Sequence, residues 1–200
     1  RHFTPSNDTI TVRSLFSADE LAILVEWDDR TKSLPGDDDA EKIAEPADLA
    51  EDVVAIQLPV NLPDGMEKPY FAMGDKKWPV SLWQWRSGTT TQTQSATLLE
   101  ATGFNTAVSQ PGGELSANGV YDAGTWKVLF KKKIAGDDNL IFKEGVFVPL
   151  AFSVWDGSND ESGTKHTLTT WYWLLLEPAS STLPFVGGFI ALLIVIGLEL

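Results

Sequence analysis

The sequence predicts an all-β protein: an antiparallel β-sandwich with long loops, closed by a C-terminal hydrophobic transmembrane helix. Three observations predict it. Apolar residues alternate with other residues at period two in several separate segments. Turns rich in Gly, Asp and Asn divide those segments, with no strand–helix alternation of the kind a parallel sheet requires. A charge-free apolar run then ends the chain.

In chain order, Leu21, Ile23, Val25 and Trp27 alternate through Glu20 to Trp27, and Val54, Ile56 and Leu58 repeat the pattern before Pro59. Trp83 and Trp85 share one strand parity. Trp126, Val128 and Phe130 form another alternating set, with Lys127, Lys131 and Lys133 on the opposite face. Val146 to Trp155 reads as a longer apolar strand, where Pro149 marks an edge or a bulge. Thr167 to Leu176, rich in β-branched and aromatic residues, reads as the last strand. Two long stretches interrupt the pattern. Asp28 to Asp52 is acidic and predicts a solvated loop with room for a short helix; its spacing is not that of an EF-hand calcium loop. Ser87 to Gly113 is rich in Thr, Gln, Ser and Gly, with a short helix expected near Ala96 to Thr102. Residues 183–198, LPFVGGFIALLIVIGL, hold no charge over sixteen positions. They fall short of the roughly 20 residues that span a bilayer. The expectation is a sandwich domain over 1–180 and a membrane anchor over 183–200 that stops short at residue 200. The chain begins at Arg1, which suggests a removed N-terminal segment such as a secretory signal, and hence an extracytoplasmic location.

Composition narrows the chemistry. A net charge of −13 repels nucleic-acid phosphates, so nucleic acid is excluded as a partner. A hydrophobic content of 43% over 200 residues supports a full core. The chain has no cysteine, which removes disulfides, iron–sulfur ligation, thiolate zinc sites, catalytic thiols and covalent haem attachment through Cys-x-x-Cys-His. Only His2 and His166 are histidines, so no multi-histidine metal site can form. Neither a nucleophile elbow nor a glycine-rich phosphate loop is present, and no catalytic site is assigned.

The stretch FAMGDKKWPVSLWQWR, residues 71–86, places Met73, one of two methionines, beside three of the eight tryptophans. Two readings follow from the residues. Thioethers fill irregular core gaps beside aromatic rings. Alternatively, Met73 offers a soft axial ligand to haem iron in an apolar slot lined by indoles. A membrane-anchored, haem-free sandwich that stacks tryptophans on carbohydrate is the competing class; it leaves the Met-Gly-Asp element unexplained.

Four stretches carry a resemblance: ELAILVEWDD (20–29), YFAMGDKKWPVSLWQWR (70–86), NGVYDAGTWKVLFKKK (118–133) and GVFVPLAFSVWDGSNDESGTKHTLTTWYWL (145–174). Together they resemble the haem b-binding γ subunits of the type II DMSO reductase family. That family includes ethylbenzene and dimethylsulfide dehydrogenases, selenate, chlorate and nitrate reductases, and nitrite oxidoreductases. The resemblance implies a β-sandwich holding one noncovalent haem b. It implies partnership with an iron–sulfur subunit and a molybdopterin catalytic subunit, and electron relay to an external cytochrome or quinone-linked carrier. A Met and a Lys ligate the iron in the ethylbenzene dehydrogenase member. The matching motifs place the first ligand at Met73 and the second at Lys165, with the adjacent His166 as the alternative. Neighbouring strand residues point to opposite faces, so both cannot face one iron. Trp83, Trp85, Trp126 and Trp155 are candidates to line the slot, and Arg86 to pair with a haem carboxylate.

Overall fold

A computed structural model describes residues 4–41, 49–63, 67–111, 114–134 and 141–177. Eleven strands are defined among them: β1 (Thr11–Phe16), β2 (Glu20–Asp28), β3 (Val53–Pro59), β4 (Val80–Arg86), β5 (Ser95–Ala101), β6 (Val108–Ser109), β7 (Leu115–Asp122), β8 (Thr125–Lys133), β9 (Phe147–Trp155), β10 (Thr167–Leu168) and β11 (Tyr172–Leu175). One four-residue helix, α1 (Asp38–Glu41), and a single 3₁₀ turn at Gly157–Asn159 are the helical pieces among the described residues. The fold is all-β and its strand pairs are antiparallel.

The smaller sheet runs β1-β2-β8-β7, and the larger runs β10-β9-β3-β4-β5-β6 with β11 also paired to β9. Period-two alternation drives the smaller sheet. Leu21, Ile23, Val25 and Trp27 of β2 are buried, as are Trp126, Val128 and Phe130 of β8, while Lys127, Lys131 and Lys133 stay exposed on the other face. Strands β7 and β8 meet through a two-residue turn, Ala123 and Gly124, at φ 48° and 80°. Positive φ at both turn positions matches the right-handed twist of the strands. The larger sheet contributes Val54, Ile56, Leu58, Trp83, Trp85, Val148, Leu150, Phe152 and Val154 to the same core. Trp27 stacks on Trp126 at 6.2 Å, and Trp85 meets Trp126 edge-on at 4.9 Å.

Two expectations change. Ser95 to Ala101 is strand β5, where a short helix was expected near Ala96 to Thr102. Its Ala and Leu residues favour helix alone, but pairing with all seven residues of β4 satisfies the backbone. Leu98 then packs into the sandwich core and Leu99 onto the opposite face, which is period two. The last strand is also divided into β10 and β11. Between them, Thr169 exchanges bonds with Phe152: its N–H donates to the Phe152 carbonyl, and its Oγ1 accepts from the Phe152 N–H. Pro149 lies beyond the reach of β3 and opposite Trp173 of β11, so its missing N–H costs no inner ladder bond.

The expected anchor at 183–200 lies outside the described residues, and among those described no helix is long and apolar enough to cross a membrane. The feature that positions a site is β3. All seven of its residues are buried, so both of its faces are covered. One face meets the smaller sheet; the loops that cover the other build the site.

Candidate functional site

Alternation sends Val53, Ala55 and Gln57 of β3, Val80, Leu82, Gln84 and Arg86 of β4, and Trp155 of β9 to the outer face of the larger sheet. Residues 70–78 fold over it. The Gly74 N–H donates to the Tyr70 carbonyl at 2.9 Å, closing one tight turn. Asp75 fixes the turn's far side: Oδ1 accepts from the Lys77 and Trp78 N–H groups at 2.8 and 2.9 Å, and Oδ2 from that of Tyr70 at 3.3 Å. The Trp78 N–H above all, then those of Tyr70 and Lys77, hold the Asp75 carboxyl below its ordinary value.

Met73 is displayed at the apex. Its φ is 66° and that of Gly74 is 69°, two consecutive left-handed residues. Such a conformation costs a non-glycine residue about 1–3 kcal/mol and persists only where the surroundings impose it. Here they do. The buried Gln57 side chain accepts from the Met73 N–H at 3.0 Å and donates to the Phe71 carbonyl at 2.9 Å. The Met73 carbonyl accepts from the Gly103 N–H at 2.8 Å. The Met73 side chain packs against two buried clusters, one of Val53, Ala55 and Trp155 and one of Val80, Leu82 and Ala101.

Beside Met73 opens a cavity of about 450 Å³, walled by Val53, Gln84, Arg86, Phe104, Trp155 and residues 161–164. That volume lies within the roughly 300–1,000 Å³ range of small-molecule and cofactor sites. Arg86 is exposed and donates to Glu51 at 3.1 Å. Tyr70, Phe71 and Phe104 form an exposed aromatic group at the same place, with Tyr70 at 4.9 Å from Phe71 and 6.4 Å from Phe104.

The structure therefore brings Met73, Trp155 and Arg86 to one cavity. Lys165 follows directly on the 161–164 wall; its ammonium is exposed and paired with Asp160 at 2.5 Å. His166 is buried and stacked on Trp155, rings 4.4 Å apart and 26° from parallel. Its Nδ1 has no hydrogen-bond partner, and burial lowers its pKa against the favourable backbone contacts of Gly163 and Thr164. Trp83, Trp85 and Trp126 do not join Met73. They sit in the core between the sheets, on the opposite face of β4. The Trp85 indole donates to Gln94 at 2.8 Å and the Trp126 indole to Asp52 at 2.9 Å. With Trp27 also in that core, four of the eight tryptophans present no face for stacking on a sugar.

Sequence reasoning did not single out Gln57, Val53 or Phe104. Gln57 carried a weak signal, as a polar residue on a strand otherwise free of them. The position of Phe104 depends on a loop path that no periodicity encodes.

The donor set suits a flat, largely apolar group with a metal centre. It offers a thioether on an anchored loop, an apolar slot, an amine and an imidazole nearby, and a guanidinium at the wall. Known proteins resemble the chain over most of its length. The family model described as ethylbenzene dehydrogenase matches residues 4–107. A Haloferax mediterranei protein named as a respiratory nitrate reductase haem subunit is 26% identical over 182 residues, covering 90% of this chain and 60% of that protein. The chlorate reductase γ subunit of Ideonella dechloratans is 24% identical over 174 residues, covering 86% of this chain and 66% of that one. The chain thus spans somewhat less than two thirds of the length of these relatives.

Proposed function

The chain belongs to the ethylbenzene dehydrogenase family, and from that premise we propose that it is the haem b-binding γ subunit of a molybdenum oxidoreductase complex. Its task is to relay electrons between an iron–sulfur subunit and an external cytochrome or quinone-linked carrier. The observation that carries this reading is Met73, held at φ 66° by Gln57 and Gly103 against the wall of the outer-face cavity. A methionine that only filled a gap would not need a strained backbone or a dedicated buried amide.

One haem b, held without covalent attachment, would supply a one-electron iron couple whose potential thioether ligation raises. The residues of this chain do the rest. Met73 offers the sulfur, and Val53, Phe104 and Trp155 offer apolar wall. Arg86, already exposed at the wall, offers a cationic donor to a carboxylate. Lys165 would be the second ligand on this reading: it is exposed, adjoins the cavity wall, and would have to give up its pairing with Asp160 and its proton. His166 is the alternative, favoured by its unpartnered Nδ1, but it would have to leave its stack on Trp155. Residues 183–200 are proposed to anchor the subunit at the extracytoplasmic face of a membrane, and the aromatic group at Tyr70, Phe71 and Phe104 to face the partner that exchanges electrons.

The test is the absorption spectrum of the full chain produced with adequate haem. A reduced six-coordinate b-type spectrum is expected, and its absence would overturn the reading. Met73→Ala should abolish that form while leaving the strands intact by circular dichroism. Lys165→Ala should convert the spectrum likewise, and His166→Ala should not. The reverse pattern would move the second ligand to His166.

A further inference from the structure

Asp29, Asp52 and Asp156 lie at the ends of three different strands, after β2, before β3 and after β9. They converge in the interior. Their ligand oxygens all lie within 4.8 Å of one another, and the residues are 5%, 0% and 2% exposed. Asp52 Oδ1 accepts from the Gly157 N–H at 3.0 Å, and Oδ2 from the Ser33 N–H at 2.7 Å and the Trp126 indole at 2.9 Å. Asp156 Oδ1 accepts from the Ser158 N–H and hydroxyl. Asp29 Oδ1 accepts from the Thr31 N–H. Among the described residues, no Lys, Arg or His pairs with any of the three.

A second observation points to something missing from this list of donors. Asp29 Oδ2 is sealed from solvent and has no donor at hydrogen-bonding distance. The Trp27 indole N–H faces the same carboxyl and also lacks a partner at hydrogen-bonding distance. A buried carboxylate oxygen without a donor is costly, and three such carboxylates together repel one another. A cation removes both costs. Calcium–oxygen bonds of about 2.3–2.6 Å separate ligands on opposite sides of an ion by up to about 5 Å, the spread found here. The donors are all hard oxygens, with the buried hydroxyls of Thr31 and Ser33 alongside at 3.1 Å from each other. That set excludes zinc and copper preferences. It favours calcium over magnesium, which keeps several of its waters and so fits poorly in a closed protein cage.

We propose that Asp29, Asp52 and Asp156 form a calcium site that ties together the ends of β2, β3 and β9. The site adjoins the cavity without belonging to it, since Asp52 precedes Val53 and Asp156 follows Trp155, two residues of the cavity wall. Gly157 belongs to the same construction. A Cβ there would lie 2.0 Å from the Ala50 carbonyl, so only glycine lets its N–H reach Asp52.

The full chain, treated with chelator and then dialysed, is the sample. Calorimetric titration with calcium chloride should show one ion per chain and a rise in melting temperature. Terbium should replace calcium and emit on tryptophan excitation, because Trp126 is bonded to one ligand and Trp27 faces another. Asp29→Asn and Asp156→Asn should each weaken binding at least ten-fold, whereas Asp28→Asn, on the exposed neighbour, should leave it unchanged. Trp126→Phe removes the indole bonded to Asp52 and should cut the sensitised emission. Folded wild-type chain that binds neither calcium nor terbium overturns the proposal, even if the aspartate variants fail to fold. Binding of magnesium with no response to calcium overturns the assignment of the ion. Repeating the titration on Met73→Ala separates this site from the haem reading, since calcium binding should survive loss of the thioether.

Discussion

At Met73 a left-handed backbone is imposed on a residue that resists it, and one buried side chain does most of the imposing. Gln57 is 3% exposed, and its amide contacts both the Met73 N–H and the Phe71 carbonyl. Replacing Gln57 by Leu leaves both backbone groups without that partner, which costs about 1–3 kcal/mol. The loss should appear as a lower urea midpoint and, in the same variant, as a haem spectrum displaced toward that of Met73→Ala. Gln57→Glu keeps the acceptor for Met73 but buries a carboxylate against the Phe71 carbonyl, so it should destabilise at least as much as Gln57→Leu. A Gln57→Leu protein with unchanged stability and spectrum would show that the loop holds its shape without this amide. Met73 stood out in the sequence because thioethers are rare here and the Met-Gly-Asp element is specific. Gln57 was not, because a single polar residue on a strand gives no hint of the loop that will need it.

Strand β4 shows what alternation can and cannot say. The shared parity of Trp83 and Trp85 was readable, and both do face one side. Which side was not readable, because β4 is covered on both faces: one by the smaller sheet, the other by the Met73 loop. An apolar residue on either face looks the same in the sequence. Strand β5 was missed for a related reason, since its helix-forming residues become strand only by pairing with β4. The geometry then separates core from site. Gly119 on β7 lies against Trp85, and a Cβ there would fall 2.2 Å from the indole ring. Gly119→Ala should therefore push Trp85 aside and cost about 1–3 kcal/mol. The haem spectrum should not move, because the displaced ring is on the far face of β4. Trp85→Phe should behave the same way, with a loss of about 1–3 kcal/mol from the vacated volume and the lost bond to Gln94. A spectral change in either variant would return Trp85 to the cofactor slot.

Across the whole molecule, the acidic character divides into two kinds. Most of the carboxylates behind the net charge of −13 need no explanation beyond solvation. The stretch from Asp28 to Asp52 looked uniform in that respect, yet Asp29 and Asp52, near its two ends, turn inward to meet Asp156. Nothing local marks them, since the third partner comes from a distant strand and the convergence exists only once both sheets have formed. Their burial sets a pH dependence for the calcium-free chain. Burial first, then the charges of Asp52 and Asp156, push Asp29 up to about 8. Burial pushes Asp52 up to about 7 against the N–H donors of Gly157 and Ser33 and the Trp126 indole. The other titratable group facing them is Tyr121, whose hydroxyl donates to the Asp29 carbonyl and whose pKa is raised chiefly by burial. Folded values above the ordinary 3.8 mean that the folded chain holds protons the unfolded chain has released. The stabilising contribution is therefore complete below that ordinary value and is lost as pH rises through about 7 and 8. In chelator, the melting temperature should fall from about pH 4 to about pH 8 and level off above it. With saturating calcium, ionised carboxylates become the bound form, so the fall should be suppressed and the gap between the two curves should widen with pH. A chelated melting temperature that stays level or rises over that interval would show that the three aspartates are already ionised and compensated without a cation.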